Sequence, residues 1–218
     1  IEEFMIQANV AAAETLEKRK QPLIYRVHDT PSLAKQEVLR EFLGTLGLSL
    51  ARGGSLRANS FNGVLARAKG QPFEIMVNEM VLRSQSQAVY SPENIGHFGL
   101  ALEAYAHFTS PIRRYPVLLV HRAIKHALAR GRRKAFLYTP SEMAALALQC
   151  SERERRADEA EREVDERYRA AWMEQHVGGE FDGTISGVTS FGLFVELDQS
   201  KVNGLVHVTQ LPKDFYHF

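Results

Sequence analysis

The residues with the clearest chemical potential lie in the stretch 107–116, which reads His-Phe-Thr-Ser-Pro-Ile-Arg-Arg-Tyr-Pro. Ser110 is a favourable N-cap and Pro111 a favourable first helical residue, so a helix start is predicted here. The helix dipole favours Asp or Glu in a first turn, whereas this turn carries Arg113 and Arg114. Guanidinium groups, hydroxyls and backbone N–H groups would then converge, which suits an anion such as phosphate. The alternative is a pair of solvated arginines at a helix end.

The same stretch predicts a helix over about residues 111–129 with a distorted first turn. Pro116 lies inside this predicted helix, where it lacks an N–H donor and crowds the carbonyl four residues back. A kink is therefore expected near Ile112. His121 and Arg122 follow on the same helix and are candidates for contacting a ligand. The alternative for His121 is a purely structural role.

The composition is that of a soluble globular protein, because the 218 residues are 44% hydrophobic and 24% charged. This length accommodates one large domain, or one domain with a small module. No apolar run has the length of a membrane span and no signal peptide opens the chain, whose first residues lead us to expect the interior of a longer protein.

Cysteine usage and net charge further limit the class of protein to which the chain can belong. Cys150 is the one cysteine, which excludes an intrachain disulfide and a cysteine-based zinc cage and predicts a cytoplasmic protein. The net charge of +1 gives no global nucleic-acid signal. Any nucleic-acid site must therefore arise from local clusters of charge.

Hydrophobic periodicity predicts a mainly helical first part that must position these residues. Helices are expected over residues 1–20, from Ser32 to Gly47, and over 59–68 and 73–83, and strands over 23–27, 87–90 and within 96–108. Ser141 is the expected cap of a further helix, and residues 151–176 predict a long amphipathic helix with i,i+4 acid–base pairs. On that helix Arg155, Arg156 and Glu161 are candidates to face inward; the alternative is a solvated charged face.

The composition changes at Gly178, after which the chain predicts β-structure. Strands are expected over residues 180–189, 192–197 and 204–208, with Phe191, Phe194 and His207 on one face. Such aromatic platforms stack nucleic-acid bases in OB-fold barrels; the alternative is barrel core. The chain ends too early for a five-stranded barrel, so we expect it to be truncated or completed by another chain. The predicted class is α+β, with a mixed helical and sheet portion over residues 1–177 and a partial OB-fold β-barrel over 178–218.

Ordered blocks of the chain resemble the ribonuclease II/ribonuclease R (RNB) family of exoribonucleases, and its ribonuclease R branch more closely. The blocks are residues 1–6 with 8–9, 25–28, 90–94 with 97–100, 107–116 with 121–122, and 154–160. They occur in the family's order and cover nearly the whole chain, so they are specific as a set. The tail 179–211 resembles the start of the S1 RNA-binding domain that follows the nuclease domain in this family.

The resemblance implies processive 3′→5′ hydrolysis of single-stranded RNA to nucleoside 5′-monophosphates, with Mg²⁺ held by clustered aspartates. It gives Arg113 and Arg114 catalytic roles on the scissile phosphate, with Arg113 as the first choice. It implies that Glu2 or Glu3 lies near the terminal nucleotide and that Glu161 is a supporting carboxylate. The remaining positions expected to contact RNA are Asn9, His107, Thr109, Ser110, Tyr115, His121, Arg122, Arg156, Phe191, Phe194 and His207.

Two departures from the family pattern affect the expected activity. Between residues 1 and 178 the aspartates are only Asp29, Asp158 and Asp165, so no metal cluster is identifiable. We therefore expect the C-terminal part of the catalytic domain, inactive without the N-terminal part of the same protein. The family motif also continues Arg-Arg-Tyr-x-Asp, and this chain has Val117, which removes a carboxylate expected to tether Arg113 four residues earlier.

These departures leave alternatives open. The protein could be a catalytically inactive RNA-binding relative, or a helical scaffold whose arginines face solvent. If the missing tether limits activity, Val117→Asp should raise the turnover of a complete enzyme. The sequence predicts no membrane association and leaves the oligomeric state undetermined.

Overall fold

The computed structural model describes residues 1–51, 56–110, 113–129, 135–212 and 214. Its backbone separates into two compact units, Ile1–Glu154 and Arg155–Phe218. The fold class is α+β as predicted, because helices dominate the first unit and a three-stranded sheet lies in the second. Among the described helices, none combines the length and apolar character that a membrane span requires. The predicted domain boundary at residues 177/178 stays a prediction.

The described part of the chain contains six α-helices, five strands and two 3-10 helices, Phe98–Leu100 and Val208–Gln210. In chain order they are α1 Glu2–Lys18, β1 Tyr25–Val27, α2 Leu33–Thr45, α3 Ala58–Ala68, α4 Glu74–Ser84, β2 Val89–Ser91, α5 Tyr115–Leu128, α6 Pro140–Glu174, β3 Gly183–Thr189, β4 Gly192–Leu197 and β5 Asn203–His207.

The core of the first unit that supports the arginine stretch lies between α1, α5 and the β1–β2 pair. The two strands are antiparallel, with Tyr25 opposite Ser91. Small and branched side chains from α1 and α5 pack against β1, which allows the two helices to approach closely. The buried members of this core are Ala12, Ala13, Leu16, Leu23, Tyr25, Val27, Ala104, Ala106, Val120, Ala123 and Ala127.

Helices α2, α3 and α4 form a second core, as their apolar periodicity predicts. Ser32 caps α2 by accepting a hydrogen bond from the Lys35 backbone N–H, which confirms the predicted helix start. Gly47 follows the end of α2 with a positive φ of 69°, a conformation that favours glycine. Leu39, Leu43 and the residues packed on them thus bury the apolar faces of three short helices that would be marginal alone.

The predicted separate helices after residue 140 are one continuous helix, α6, of 35 residues. Its cap is Thr139 rather than Ser141: the Thr139 hydroxyl accepts from the Glu142 N–H, and the Glu142 carboxylate accepts from the Thr139 N–H at 2.7 Å. This reciprocal pair is a capping box. Arg155, Arg156 and Glu161 are all exposed on α6, so none of them faces inward within its own unit.

The predicted strand within residues 96–108 is wrong. Gly96 and Ala101 have positive φ values of 78° and 53°, and His97 and Leu102 exchange two backbone hydrogen bonds across the tight turn between them. Ala104 and Ala106 are buried in an irregular segment, whereas Gly99 and Ala101 are exposed. The Tyr105 carbonyl of this segment accepts a hydrogen bond from the Arg26 N–H.

The second unit contains the antiparallel sheet β3–β4–β5, as expected for a partial OB-fold. Gly192 pairs with His207, and Phe194 pairs with Leu205, so Phe194 and His207 point to the same face. Gly192 is required at its position, because an added Cβ would clash with the Val206 carbonyl oxygen.

Candidate functional site

The arginine stretch enters its helix later than the sequence predicts. Helix α5 begins at Tyr115, with Arg114 as its extended N-cap residue, and Ser110 has a positive φ of 67° instead of an N-cap conformation. Pro116 therefore lies in the first turn of α5, where a missing N–H costs nothing, and the predicted kink has no cause there. The predicted helical start at Pro111 and the kink at Ile112 lie outside the described residues.

The two arginines differ in environment. Arg113 is exposed and Arg114 is half-buried. Within the described part of the first unit, neither guanidinium pairs with a carboxylate. Two positive charges without salt-bridge partners are free to bind an anion.

The structure does not place Arg113 and Val117 four residues apart on one helix. Val117 is fully buried at the third position of α5, whereas Arg113 precedes the helix. Residues 113 and 117 are therefore not i,i+4 neighbours on a helix, and the spacing gives no contact between them. A carboxylate at the third helical position would reach back towards the Arg114 N–H instead.

His107 lies next to the arginines between two tyrosine rings. The ring centroids of Tyr90 and Tyr105 are 5.6 and 5.8 Å from that of His107, both edge-on, and the Tyr90 hydroxyl is 3.0 Å from His107 Nδ1. Burial, followed by the charge of Arg114, lowers the pKa of His107 to about 3. Burial raises the pKa of Tyr90 to about 12, so the Tyr90 hydroxyl donates and the neutral imidazole accepts.

Asn9 is buried in α1 and bonds the backbone just before the arginines. Its Oδ1 accepts from Phe108 N at 2.8 Å, Thr109 N at 2.9 Å and Thr109 Oγ1 at 3.2 Å. Its Nδ2 donates to the Tyr105 hydroxyl at 2.9 Å. The RNA contact expected for Asn9 and Thr109 stays a prediction; here both residues bind each other.

Helix α5 holds the same segment from another side. The His121 Nε2–H donates to the Phe108 carbonyl at 2.9 Å, and the two rings stack with centroids 4.4 Å apart. Arg122 donates to the Tyr138 hydroxyl, and exposed Tyr115 hydrogen-bonds the same tyrosine. The structural alternative for His121 thus has direct geometric support.

Sequence reasoning missed an ion pair behind His107. Arg26 and Glu154 are joined at 2.5 Å, with side chains only 16% and 28% exposed, and the Arg26 guanidinium lies 4.6 Å from the centre of the Tyr90 ring. Ser151 accepts from Tyr90 N–H at 2.9 Å. All of these residues except Ser151 fall within the blocks that carry the family resemblance. Membership of those blocks was the one sequence signal that could have indicated these contacts.

The other candidate residues lie elsewhere. Glu2 and Glu3 are exposed in the first turn of α1. In the second unit, the Phe191 and Phe194 rings meet edge-on at 6.2 Å, and His207 Nδ1 lies 2.9 Å from Thr209 Oγ1. The predicted roles of these residues, and of Arg156 and Glu161, stay predictions.

The described residues do not fit a divalent-metal site. No three His, Cys, Asp or Glu side chains among them converge as ligands. The described residues therefore place two arginines beside neutral polar groups, an arrangement whose charge suits an anion, and bring no cluster of metal ligands together.

Comparison with known proteins gives the family. The RNB domain model matches residues 1–130 and the S1 RNA binding domain model matches residues 174–217. The chain belongs to the RNB family. It is 46% identical over 226 residues to ribonuclease R of Escherichia coli and 44% identical over 227 residues to ribonuclease R of Vibrio cholerae, in both cases with all of this chain and 28% of the relative covered.

A solved structure agrees with the family assignment. Mycoplasma genitalium RNase R in complex with ribose methylated single-stranded RNA superposes with a TM-score of 0.86 at 30% identity, covering all of this chain and 34% of that one. The chain thus spans about a third or less of the length of the relatives that it matches.

Proposed function

We propose that the longer protein containing this chain is a 3′→5′ exoribonuclease that hydrolyses single-stranded RNA processively to nucleoside 5′-monophosphates. The observation that carries the proposal is the pair Arg113 and Arg114, which have no carboxylate partner in the described part of their unit, in a chain of the RNB family. Mg²⁺ dependence is part of the proposal, with the metal bound by residues outside this chain. A cytoplasmic location, predicted from the single cysteine, belongs to it as well and is tested by cell fractionation.

Arg113 is the residue that contacts the scissile phosphate in this proposal. Its exposed guanidinium presents several N–H donors to the non-bridging oxygens, and this contact strengthens as negative charge develops in the transition state. Arg114 adds a second positive charge from its half-buried position. Because His107 is neutral, it does not compete with the arginines for the anion.

The second unit would bind the RNA strand. Phe191 and Phe194 offer two aromatic rings, and bases stack on such rings without sequence preference. The S1 match over residues 174–217 and the single-stranded RNA in the Mycoplasma complex support this assignment.

The test is an assay of the full-length protein on 5′-labelled single-stranded RNA with Mg²⁺. We expect progressive shortening from the 3′ end, and we expect Arg113→Ala to lower kcat by about 100-fold or more, the usual effect of removing one donor to a transition-state anion. Arg83→Ala is the matched control, because Arg83 is exposed on α4 and pairs with Glu79 one turn away. The absence of shortening, or equal effects of the two variants, would overturn the proposal.

The second candidate is an RNA-binding relative without hydrolysis. It is favoured by the departure of Val117 from the family motif, although the start of α5 at Tyr115 removes the expected tether to Arg113 as the reason. It predicts RNA affinity that falls steeply with salt, because phosphate contacts release counterions, but no shortening of the RNA under any metal condition. Binding without cleavage in the same assay selects this candidate.

A further inference from the structure

The Asn9 side chain is the most highly connected polar group near the arginine segment. It is only 4% exposed and makes four hydrogen bonds with residues about a hundred positions later in the chain. Three of the four donors point at one oxygen, Oδ1. A buried acceptor shared in this way cannot be lost without leaving buried N–H groups unpaired, which is costly.

The two backbone N–H groups that Asn9 binds belong to Phe108 and Thr109, which precede Arg113 by five and four residues. Ser110 follows with a φ of 67°, a left-handed conformation that non-glycine residues adopt only when their surroundings enforce it. The Phe108 carbonyl is held from the other side by His121. The backbone at Phe108 and Thr109, which leads to Arg113, is thus hydrogen-bonded to Asn9 of α1 and to His121 of α5.

Asn9 also connects this backbone to the carboxylates of α1. Glu2 lies seven residues before Asn9 on the same helix, about 10 Å along its axis at 1.5 Å per residue. Helix α1 therefore joins Asn9 to Glu2 and Glu3, one of which is predicted to lie near the terminal nucleotide. The position of Arg113 relative to the N-terminal end of α1 therefore depends on the contacts of Asn9.

We propose that Asn9 is a positioning residue for phosphate binding. It acts through Phe108 and Thr109 to hold Arg113 at a fixed position relative to α1. The proposal rests on the proposed function for its catalytic readout. Asn9 is buried and its oxygen is fully engaged, so it acts through the backbone and not by contact with RNA.

The test compares two substitutions at one position in the full-length protein. Asn9→Asp keeps an oxygen acceptor for both N–H groups and the Thr109 hydroxyl, whereas Asn9→Leu has a similar volume and no acceptor. We expect Asn9→Leu to lower kcat by about 100-fold, the effect of a displacement of about 1 Å at a reacting centre, while KM changes less. Asn9→Asp should restore kcat to within about threefold of the unsubstituted protein, since the loop bonds remain.

Gln36→Leu is the matched control. Gln36 is also a buried amide in the first unit, and its Nε2 donates to the Pro31 carbonyl at 2.7 Å, away from the arginine segment. It should reduce thermal stability as Asn9→Leu does, yet leave kcat unchanged. Equal losses of kcat in the two leucine variants would show that Asn9 is merely structural and would overturn the proposal.

A double-substitution cycle and a binding measurement separate this inference from the proposed function. If Asn9 acts through Arg113, Asn9→Leu should add little to the loss of kcat in an Arg113→Ala background, and full additivity would contradict the inference.

If the protein does not cleave RNA at all, the proposed function fails, but the dependence of RNA affinity on salt concentration still tests the role of Asn9. Asn9→Leu should then reduce the salt slope by about 1, as the loss of one phosphate contact does, and Asn9→Asp and Gln36→Leu should not. An unchanged slope in Asn9→Leu would overturn it.

Discussion

At the residue scale, the properties of the candidate site depend on which titratable side chains stay neutral and on which polar side chains are buried. Residue types and spacing single out Arg113, Arg114 and the residues around them as candidates, whose roles stay predictions. They could not show that Asn9 is buried with its oxygen shared by three donors, because that depends on contacts a hundred residues apart. They also could not show that Tyr90 and Tyr105 enclose His107.

The depressed pKa of His107 predicts a loss of stability in acid. The folded protein holds this imidazole neutral down to a pKa of about 3, whereas the unfolded chain binds a proton near the ordinary value of 6.5. Between these values the unfolded state binds more protons, so the free energy of unfolding falls as pH decreases. His97, whose pKa burial lowers to about 4, acts in the same direction.

The measurement is urea-induced unfolding followed by circular dichroism at pH 7 and pH 5. We expect a lower midpoint at pH 5, and a smaller difference between the two pH values for His107→Gln, which keeps an acceptor for the Tyr90 hydroxyl without a titrating ring. An identical pH dependence in both proteins would contradict the assignment of this effect to His107.

At the scale of elements, periodicity predicts the helices and misplaces their ends. The apolar spacing of α2, α3 and α4 locates those helices well, because their buried faces repeat at the helical period. Helix starts depend on single hydrogen bonds between side chain and backbone, and several residues near each start could supply them. Thr139 and Ser141 are both suitable caps by type, and only the Glu142 contact distinguishes them.

The α6 cap gives a direct prediction. Thr139→Ala should lower the unfolding free energy by about 1 kcal/mol, the typical value of a lost N-cap, because the first N–H groups of α6 lose their acceptor. Ser141→Ala is the matched control and should have a much smaller effect, since Ser141 lies inside the first turn. Circular dichroism at 222 nm during denaturant titration measures both, and a larger loss for Ser141→Ala would refute the cap assignment.

At the scale of the whole molecule, the chain divides its expected tasks between two units. The first carries the arginine segment and the second carries the aromatic face of the sheet. The family resemblance predicted this order of domains, and the RNB and S1 matches confirm it. The separation of the units after Glu154, within α6, was not predictable, because the helical pattern continues through that point without a break.

This division predicts that substitutions in the two units affect different kinetic constants. Phe191→Leu in the full-length protein should raise the Kd for single-stranded RNA by about 5-fold to 100-fold, because a base loses a stacking surface, while kcat changes little. Phe191→Tyr keeps the aromatic face and should retain affinity. Fluorescence anisotropy with labelled RNA provides the measurement, and equal Kd values for the leucine and tyrosine variants would exclude stacking.

The bond between Asn9 and Thr109 closes a loop of 100 residues, which affects the order of folding. The entropy cost of such a closure must be met before the bond contributes anything, so contacts of this separation form late. Helices α2, α3 and α4 lie within the loop and can pack on one another through short-range contacts first. During synthesis α1 emerges long before residues 104–109 and α5, on which it packs. Its apolar residues therefore stay unpacked until those parts of the chain have been made. The arginine site is therefore among the last parts of the first unit to become ordered.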